Sequence, residues 1–123
     1  MIMTMDRQYS GGFRKLIAWQ EAMKLAIKVY AIIGKFQRPH WHIVDQMGRA
    51  TSSVTANIAE GSAMPTKAHR NTFYAHARGS AVELDNFSEL CFRLKLITQM
   101  EYNDLLDHIA RVTYLITRLM QSR

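Results

Sequence analysis

The chain has 123 residues, enough for one domain with a buried core, and 48% of them are apolar, as in an ordinary globular protein. The single Cys91 excludes an internal disulfide and a multi-cysteine zinc site, and no apolar run approaches the roughly 20 residues of a membrane span. Sixteen Lys and Arg against ten Asp and Glu give a net charge of +6, which points to an anionic partner, nucleic acid foremost.

Scarce Val and frequent Ala, Leu, Met, Gln and Lys favour helix over strand throughout. Residues 1–12 are polar and close on Ser10-Gly11-Gly12, which reads as a flexible tail ahead of a domain over residues 13–123. The tail lacks the apolar region of a signal peptide, so a cytoplasmic protein is expected.

The first helix is expected from Phe13 to about Phe36. Leu16, Trp19, Met23, Ala26, Tyr30 and Ile33 step by three and four and form its expected core stripe. A second apolar row, Leu25, Val29, Ile32 and Phe36, runs alongside, so this helix has more apolar face than a lone bundle needs. Pro39 disfavours helix at Arg38 and separates it from the next element.

The second helix is expected from Trp41 or His42 to Glu60. Its stripe is Ile43, Met47, Ala50, Val54 and Asn57 or Ile58, and Gly61 is placed to end it. Pro65 keeps the next connection non-helical, and Thr66 reads as the N-cap of a third helix reaching about Leu96. Its expected stripe is Phe73, Ala77, Ser80, Leu84, Phe87, Cys91 and Leu94, which makes Cys91 a buried structural thiol. Gly79 inside this helix costs about 1 kcal/mol relative to Ala, a cost that a close backbone contact would offset. Thr98 and Glu101 form a capping box for a fourth helix to about Gln121, with a stripe of Leu105, Ile109, Val112, Ile116 and Leu119. Four helices with short connections imply an all-α, antiparallel, up-down-up-down four-helix bundle.

The chemistry-bearing patterns are sparse. No Glu has a His three residues on, so the carboxylate-histidine pairs of di-iron bundles are missing, and no Gly-rich phosphate loop, nucleophile elbow or Cys-His pair appears. His40 and His42, or His69 and His76, are the only pairs suited to a transition metal, and isolated histidines are more often packing or surface residues. A non-enzymatic protein without metal or cofactor is the expectation. Arg49, Asn57, Glu60, Arg78 and Glu83 sit among small and apolar residues. They read as a structural polar network between the second and third helices, with Glu60 paired to Arg78 or Arg49. The competing reading is a catalytic or ligand site on Glu60 and Arg78. The cations best placed to follow a phosphate backbone are Lys24 and Lys28, Arg111 and Arg118, and Lys67 and Arg70 beside His69, with Arg123 at the end. Tyr74, Phe92 and Tyr114 lie off the expected stripes and are candidates for an interface.

Certain runs are more specific. Leu16-Ile17-Ala18-Trp19-Gln20-Glu21-Ala22, Val29-Tyr30, Gln46-Met47-Gly48-Arg49-Ala50, Ala56-Asn57-Ile58-Ala59-Glu60-Gly61, Phe73-Tyr74, Ala77-Arg78-Gly79-Ser80 and Glu83-Leu84 together resemble a known family. It is that of the four-helix-bundle proteins encoded in intervening sequences of bacterial 23S rRNA genes. These are related to the accessory variability determinant proteins of diversity-generating retroelements. The resemblance covers about residues 13 to 120, and the Asn-Ile-Ala-Glu-Gly run is its most specific part. Thr55, where the family commonly has Pro, and Gly48, where it commonly has a second basic residue, are departures. The resemblance implies a ring-like homopentamer and a basic surface or pore that binds RNA or DNA. For the retroelement relatives it implies a reverse-transcriptase partner. A protein-interaction scaffold with no direct nucleic-acid role is the alternative.

Overall fold

The computed structural model describes residues 12–122; the expected tail over residues 1–12 lies outside them except for Gly12, as does Arg123. A 3-10 turn, Gly12–Lys15, leads into four helices: α1 (Ile17–Ile33), α2 (Trp41–Ser62), α3 (Lys67–Arg93) and α4 (Gln99–Gln121). The described residues contain no strand. Each helix packs on its neighbours in the cyclic order α1, α2, α3, α4, and α4 returns to α1. The short connections make successive helices antiparallel. The result is the up-down-up-down bundle that the four apolar periods call for.

The capping chemistry acts as its residues suggest. The Thr66 hydroxyl accepts from the His69 N–H at 3.2 Å to start α3. At α4, the Thr98 hydroxyl accepts from the Glu101 N–H while the Glu101 carboxylate accepts from the Thr98 N–H.

Helix ends depart from expectation where backbone geometry intervenes. Leu16 is extended, so α1 begins at Ile17 rather than Phe13. It stops at Ile33, before Gly34 and Lys35, rather than at Phe36. Helix α3 stops at Arg93 rather than Leu96, because Lys95 is left-handed (φ 62°). There the Leu96 N–H reaches the Cys91 carbonyl and the Lys95 N–H reaches the Phe92 carbonyl, closing the orphan carbonyls of the last turn.

The core stripes of α2 and α4 follow the sequence pattern: Ile43, Met47, Ala50, Val54 and Ile58 are buried on α2, and Leu105, Ile109, Val112 and Ile116 on α4. Two stripes shift. On α1 the core takes Ala18, Ala22, Leu25, Val29 and Ile32 together with Ala26 and Ile33 of the expected stripe, whereas Tyr30 from that stripe is 53% exposed. Two adjacent apolar rows look alike in sequence. The inward arc takes residues of both, and the bulkier Trp19 and Met23 fall at its boundary. On α3 the core row is Tyr74, Ala77, Ala81, Leu84, Ser88 and Cys91, while Phe73, Ser80 and Phe87 are half-buried and Leu94 is exposed at the helix end.

Tyr74 is therefore a core residue, and its seat explains Gly61. That glycine lies inside α2, buried, and does not end the helix, which continues to Ser62. A Cβ on Gly61 would sit 2.8 Å from Tyr74 Cε1 and 3.0 Å from Phe73 Cβ. Gly79 is the reverse case. A Cβ there would meet no atom within 4 Å, so the close contact expected of it is not made among the described residues. Phe92 likewise stays inside the molecule: it stacks on Tyr102 with centroids 4.2 Å apart, and the Tyr102 hydroxyl donates to Glu89. Of the three aromatics outside the expected stripes, only Tyr114 is exposed.

These two glycines give opposite expectations. Gly61→Ala should lower unfolding stability by about 1–3 kcal/mol through overpacking against Tyr74. Gly79→Ala should raise the stability of the isolated chain by about 1 kcal/mol through helix propensity. Urea unfolding of the two variants beside the parent checks both signs.

Candidate nucleic-acid interface

The expected cations fall into two groups with different surroundings. Lys24, Lys28 and Arg111 lie where α1 faces α4. Glu21, Lys24 and Lys28 share one face of α1, and Asp104, His108 and Arg111 share the facing side of α4. The Glu21 carboxylate accepts from Lys24 Nζ at 3.1 Å and from Arg111 Nε at 3.2 Å. Lys28 Nζ lies 2.8 Å from Asp104 Oδ2. These cations hold the seam between the first and last helices, and much of their charge is neutralised there. The hydrogen bond from Lys24, opposed by partial burial, and then Arg111 leave the Glu21 carboxyl below the usual range for glutamate.

His108, which the sequence did not single out, sits at the centre of this seam with its side chain 11% exposed. Its Nε2 lies 3.0 Å from the Glu21 backbone carbonyl, and its Nδ1 lies 2.9 Å from Lys28 Nζ. A carbonyl can only accept and an ammonium can only donate, so the ring is neutral with its proton on Nε2. Burial, and then the Lys28 charge, hold its pKa below that of a free histidine. The spacing Asp104, His108, Arg111 was the available signal, since steps of four and three place all three on one helix face.

The second group lies at one end of the bundle. There the 3-10 turn meets α1 and α2, α3 begins and α4 ends. Asn71 Nδ2 donates to the Met120 carbonyl at 3.1 Å and ties the start of α3 to the end of α4. Arg14 lies 4.8 Å over the Phe13 ring, and Arg118 donates to the Tyr114 hydroxyl at 3.0 Å. Arg70 donates to the Met64 carbonyl at 3.2 Å, across the α2–α3 connection. Arg14, Lys15, Lys67, Arg70 and Arg118 make no ion pair among the described residues. Glu60, two residues before the end of α2, lies toward the same end and is exposed. Arg14 and Lys15, adjacent just before α1, were not among the expected contacts although the dipeptide is visible in the chain. Helix α3 has no acidic residue in its first turn but carries Lys67, His69 and Arg70 there. Cations at a helix N-terminus oppose the helix dipole, by about 0.3–1 kcal/mol each at low ionic strength.

The expected ionic network between α2 and α3 does not form. Arg49 pairs with Asp45 on its own helix at 3.0 Å. Glu60 and Glu83 are exposed, and neither makes an ion pair among the described residues. Arg78 leans the other way, toward Thr117 Oγ1 of α4 at 3.4 Å. Solvated carboxylates on outward helix faces need no cationic partner. Neutral groups make the polar link instead: Asn57 Nδ2 donates to Ser53 Oγ at 2.9 Å, and Ser80 Oγ bonds Ser53 Oγ at 2.9 Å. Of the five residues only Asn57 belongs to it. Cys91 packs its thiol against Met47 Sδ at 3.6 Å, and burial pushes its pKa up to about 11, the behaviour of an inert core thiol.

Two open grooves mark the surface. One of about 450 Å³ lies between α1 and α2 over Tyr30, Gly48 and Ser52, where Asp45 and Arg49 pair with each other. The other, of about 520 Å³, lies between α3 and α4 over Val82, Ala110 and Tyr114. Among the described residues, no three His, Cys, Asp or Glu side chains converge as a metal site would require. Among the described residues, no helix is long and apolar enough to cross a membrane.

An antiparallel four-helix bundle with a charged surface is thus the class of protein that the fold defines. A family model described as 23S rRNA-intervening sequence protein matches residues 14–118, and the chain belongs to that family. The fold is similar to that of a solved protein of unknown function from the S23 ribosomal protein family of Bacteroides thetaiotaomicron. The TM-score is 0.77 at 18% identity, covering 86% of this chain and 100% of that one. No curated protein matches the chain significantly.

The neutral His108 ties stability to pH. Because its folded pKa lies below the unfolded value, its contribution is fully present above about pH 6.5 and is lost as pH falls toward the folded pKa. The melting temperature should drop between pH 7.5 and pH 5.5, and His108→Gln, which does not titrate, should flatten that drop. Parallel profiles for the two proteins would contradict the assignment.

Proposed function

We propose that this protein is a non-enzymatic, homo-oligomeric accessory protein of the cytoplasm that binds RNA or DNA through a basic surface. The observation that carries the reading is positive charge left unmatched. The net charge is +6, and Arg14, Lys15, Lys67, Arg70 and Arg118 make no ion pair among the described residues. Such an array neutralises phosphates through charge, which requires no reading of bases. Membership of a family described by 23S rRNA intervening sequences agrees with a nucleic-acid setting.

The assembled state draws support from surfaces the chain does not use. The outward face of α3 carries Ala75, Gly79, Val82, Asn86 and Leu90 with no charge among them, and Val82 is 61% exposed. Gly79 weakens the helix with nothing packed against it among the described residues, a cost that a second copy of the chain would offset. The ring-like homopentamer implied by the family resemblance is the assembly we infer. Sedimentation should show a single species well above the 14.2 kDa monomer, and Gly79→Ala should shift it toward smaller species.

A protein-interaction scaffold, such as a reverse-transcriptase partner, is the second reading. Trp41 (68% exposed) and Met100 (81% exposed) favour it, as large apolar groups offered to solvent. Salt separates the two readings. If about five phosphates are neutralised, affinity for a labelled oligouridylate should fall roughly 100- to 500-fold between about 50 and 200 mM salt. Absence of binding even at the lower salt would leave the scaffold.

A further inference from the structure

We infer that nucleic acid meets one end of the bundle, the end where α1 and α3 begin and α4 finishes, and not the basic face along α1 and α4. The inference rests on the nucleic-acid reading above and says where on the molecule the phosphodiester backbone is held.

Charge is distributed unevenly along the bundle axis. Six of the ten carboxylates, Asp45, Asp85, Glu89, Glu101, Asp104 and Asp107, lie toward the opposite end, where α2 and α4 begin and α3 finishes, and they offset the cations Lys35, Arg38, Arg49, Arg93 and Lys95 there. Antiparallel packing gathers Arg14 and Lys15 from before α1, Lys67 and Arg70 from the first turn of α3, and Arg118 from the last turn of α4. These stretches are far apart in the chain, and the fold alone unites them.

The two basic surfaces differ in what binding an anion would demand. On the α1–α4 seam, a phosphate would have to displace Glu21 from Lys24 and Arg111, and Asp104 from Lys28. At the bundle end no carboxylate has to be displaced, because none of the five cations there is ion-paired among the described residues. Glu60 faces solvent nearby and reduces the local excess without cancelling it. The cations in the first turn of α3 also work against the helix dipole, and nothing among the described residues repays that arrangement within the chain. A bound polyanion would. The free N–H groups of that turn face the same way and add to its attraction for phosphate.

The pattern fits a phosphodiester backbone in general, so a test compares labelled oligouridylate with labelled oligothymidylate at equal length. Three proteins are titrated: the parent, Arg14→Gln/Lys67→Gln at the bundle end, and Lys24→Gln/Arg111→Gln on the seam. Among the described residues the Arg14 and Lys67 side chains make no hydrogen bond to another element, so this variant should sediment like the parent and melt no lower. Should it not, Lys15→Gln/Lys67→Gln replaces it. The end variant should bind about tenfold or more weaker, with a log–log salt slope shallower by about 1.4–1.8, while the seam variant keeps the parent slope. Parent-like binding by the end variant together with loss by the seam variant overturns this placement and leaves the nucleic-acid reading standing. No binding by the parent to either oligonucleotide overturns both. Binding of both oligonucleotides supports backbone recognition, and preference for oligouridylate assigns the ligand as RNA.

Discussion

The close approach of α2 and α3 is the constraint on which the rest of the molecule depends. It is possible only because the facing positions are small. Gly61 admits the Tyr74 ring where any Cβ would collide with it. Ala50 on α2 and Ala77 and Ala81 on α3 are buried in the core between them, and Ser53 meets Ser80 through a 2.9 Å hydrogen bond. Met47 and Cys91 close the far end of the seam. Tight backbone approach gains dispersion and buries apolar area, and a neutral serine pair is cheaper to bury than an ion pair. This seam fixes the register of α3, and so fixes where Thr66 caps it and where Lys67 and Arg70 emerge.

The fold disposes of its charge in two ways. Along α1 and α4, opposite charges are matched across the seam around a neutral histidine, which fastens the first helix to the last. At the bundle end, like charges from separate stretches converge without an ion-paired carboxylate among the described residues. Structural economy explains the first arrangement. The second opposes helix electrostatics within the chain, and local conflicts of that kind concentrate at sites of function.

Periodicity made the bundle legible in the sequence: the stripes of α2 and α4, the Thr66 cap and the Thr98–Glu101 box all follow from residue type and spacing. What periodicity could not decide was which of two adjacent apolar rows faces inward. On α1 the core took Leu25, Val29 and Ile32 of one row and Ala26 and Ile33 of the other, and on α3 Tyr74, Ala81 and Ser88 replaced Phe73, Ser80 and Phe87. Both shifts follow from the distance between helices, which depends on partners that a single stripe does not reveal. Gly61 looked like a helix stop for the same reason: its neighbour Tyr74 is distant in sequence. The candidate site was legible in part. Lys67, Arg70 and Arg118 were visible as cations, but their union with Arg14 and Lys15 is tertiary. Lys24, Lys28 and Arg111 looked equally free until Glu21, Asp104 and His108 were brought against them. Glu60 and Arg78 seemed a natural pair, yet they face different directions, and Asn57, Ser53 and Ser80 make the link.

Hydrogen exchange, measured by mass spectrometry with and without oligouridylate, tests the central claim most directly. The account predicts that amides of the α2–α3 seam exchange slowest in both states. It also predicts that added protection on binding is confined to Gly12–Lys15, the first turn of α3 and the last turn of α4. New protection along residues 21–28 and 104–111, with none at the bundle end, would contradict it.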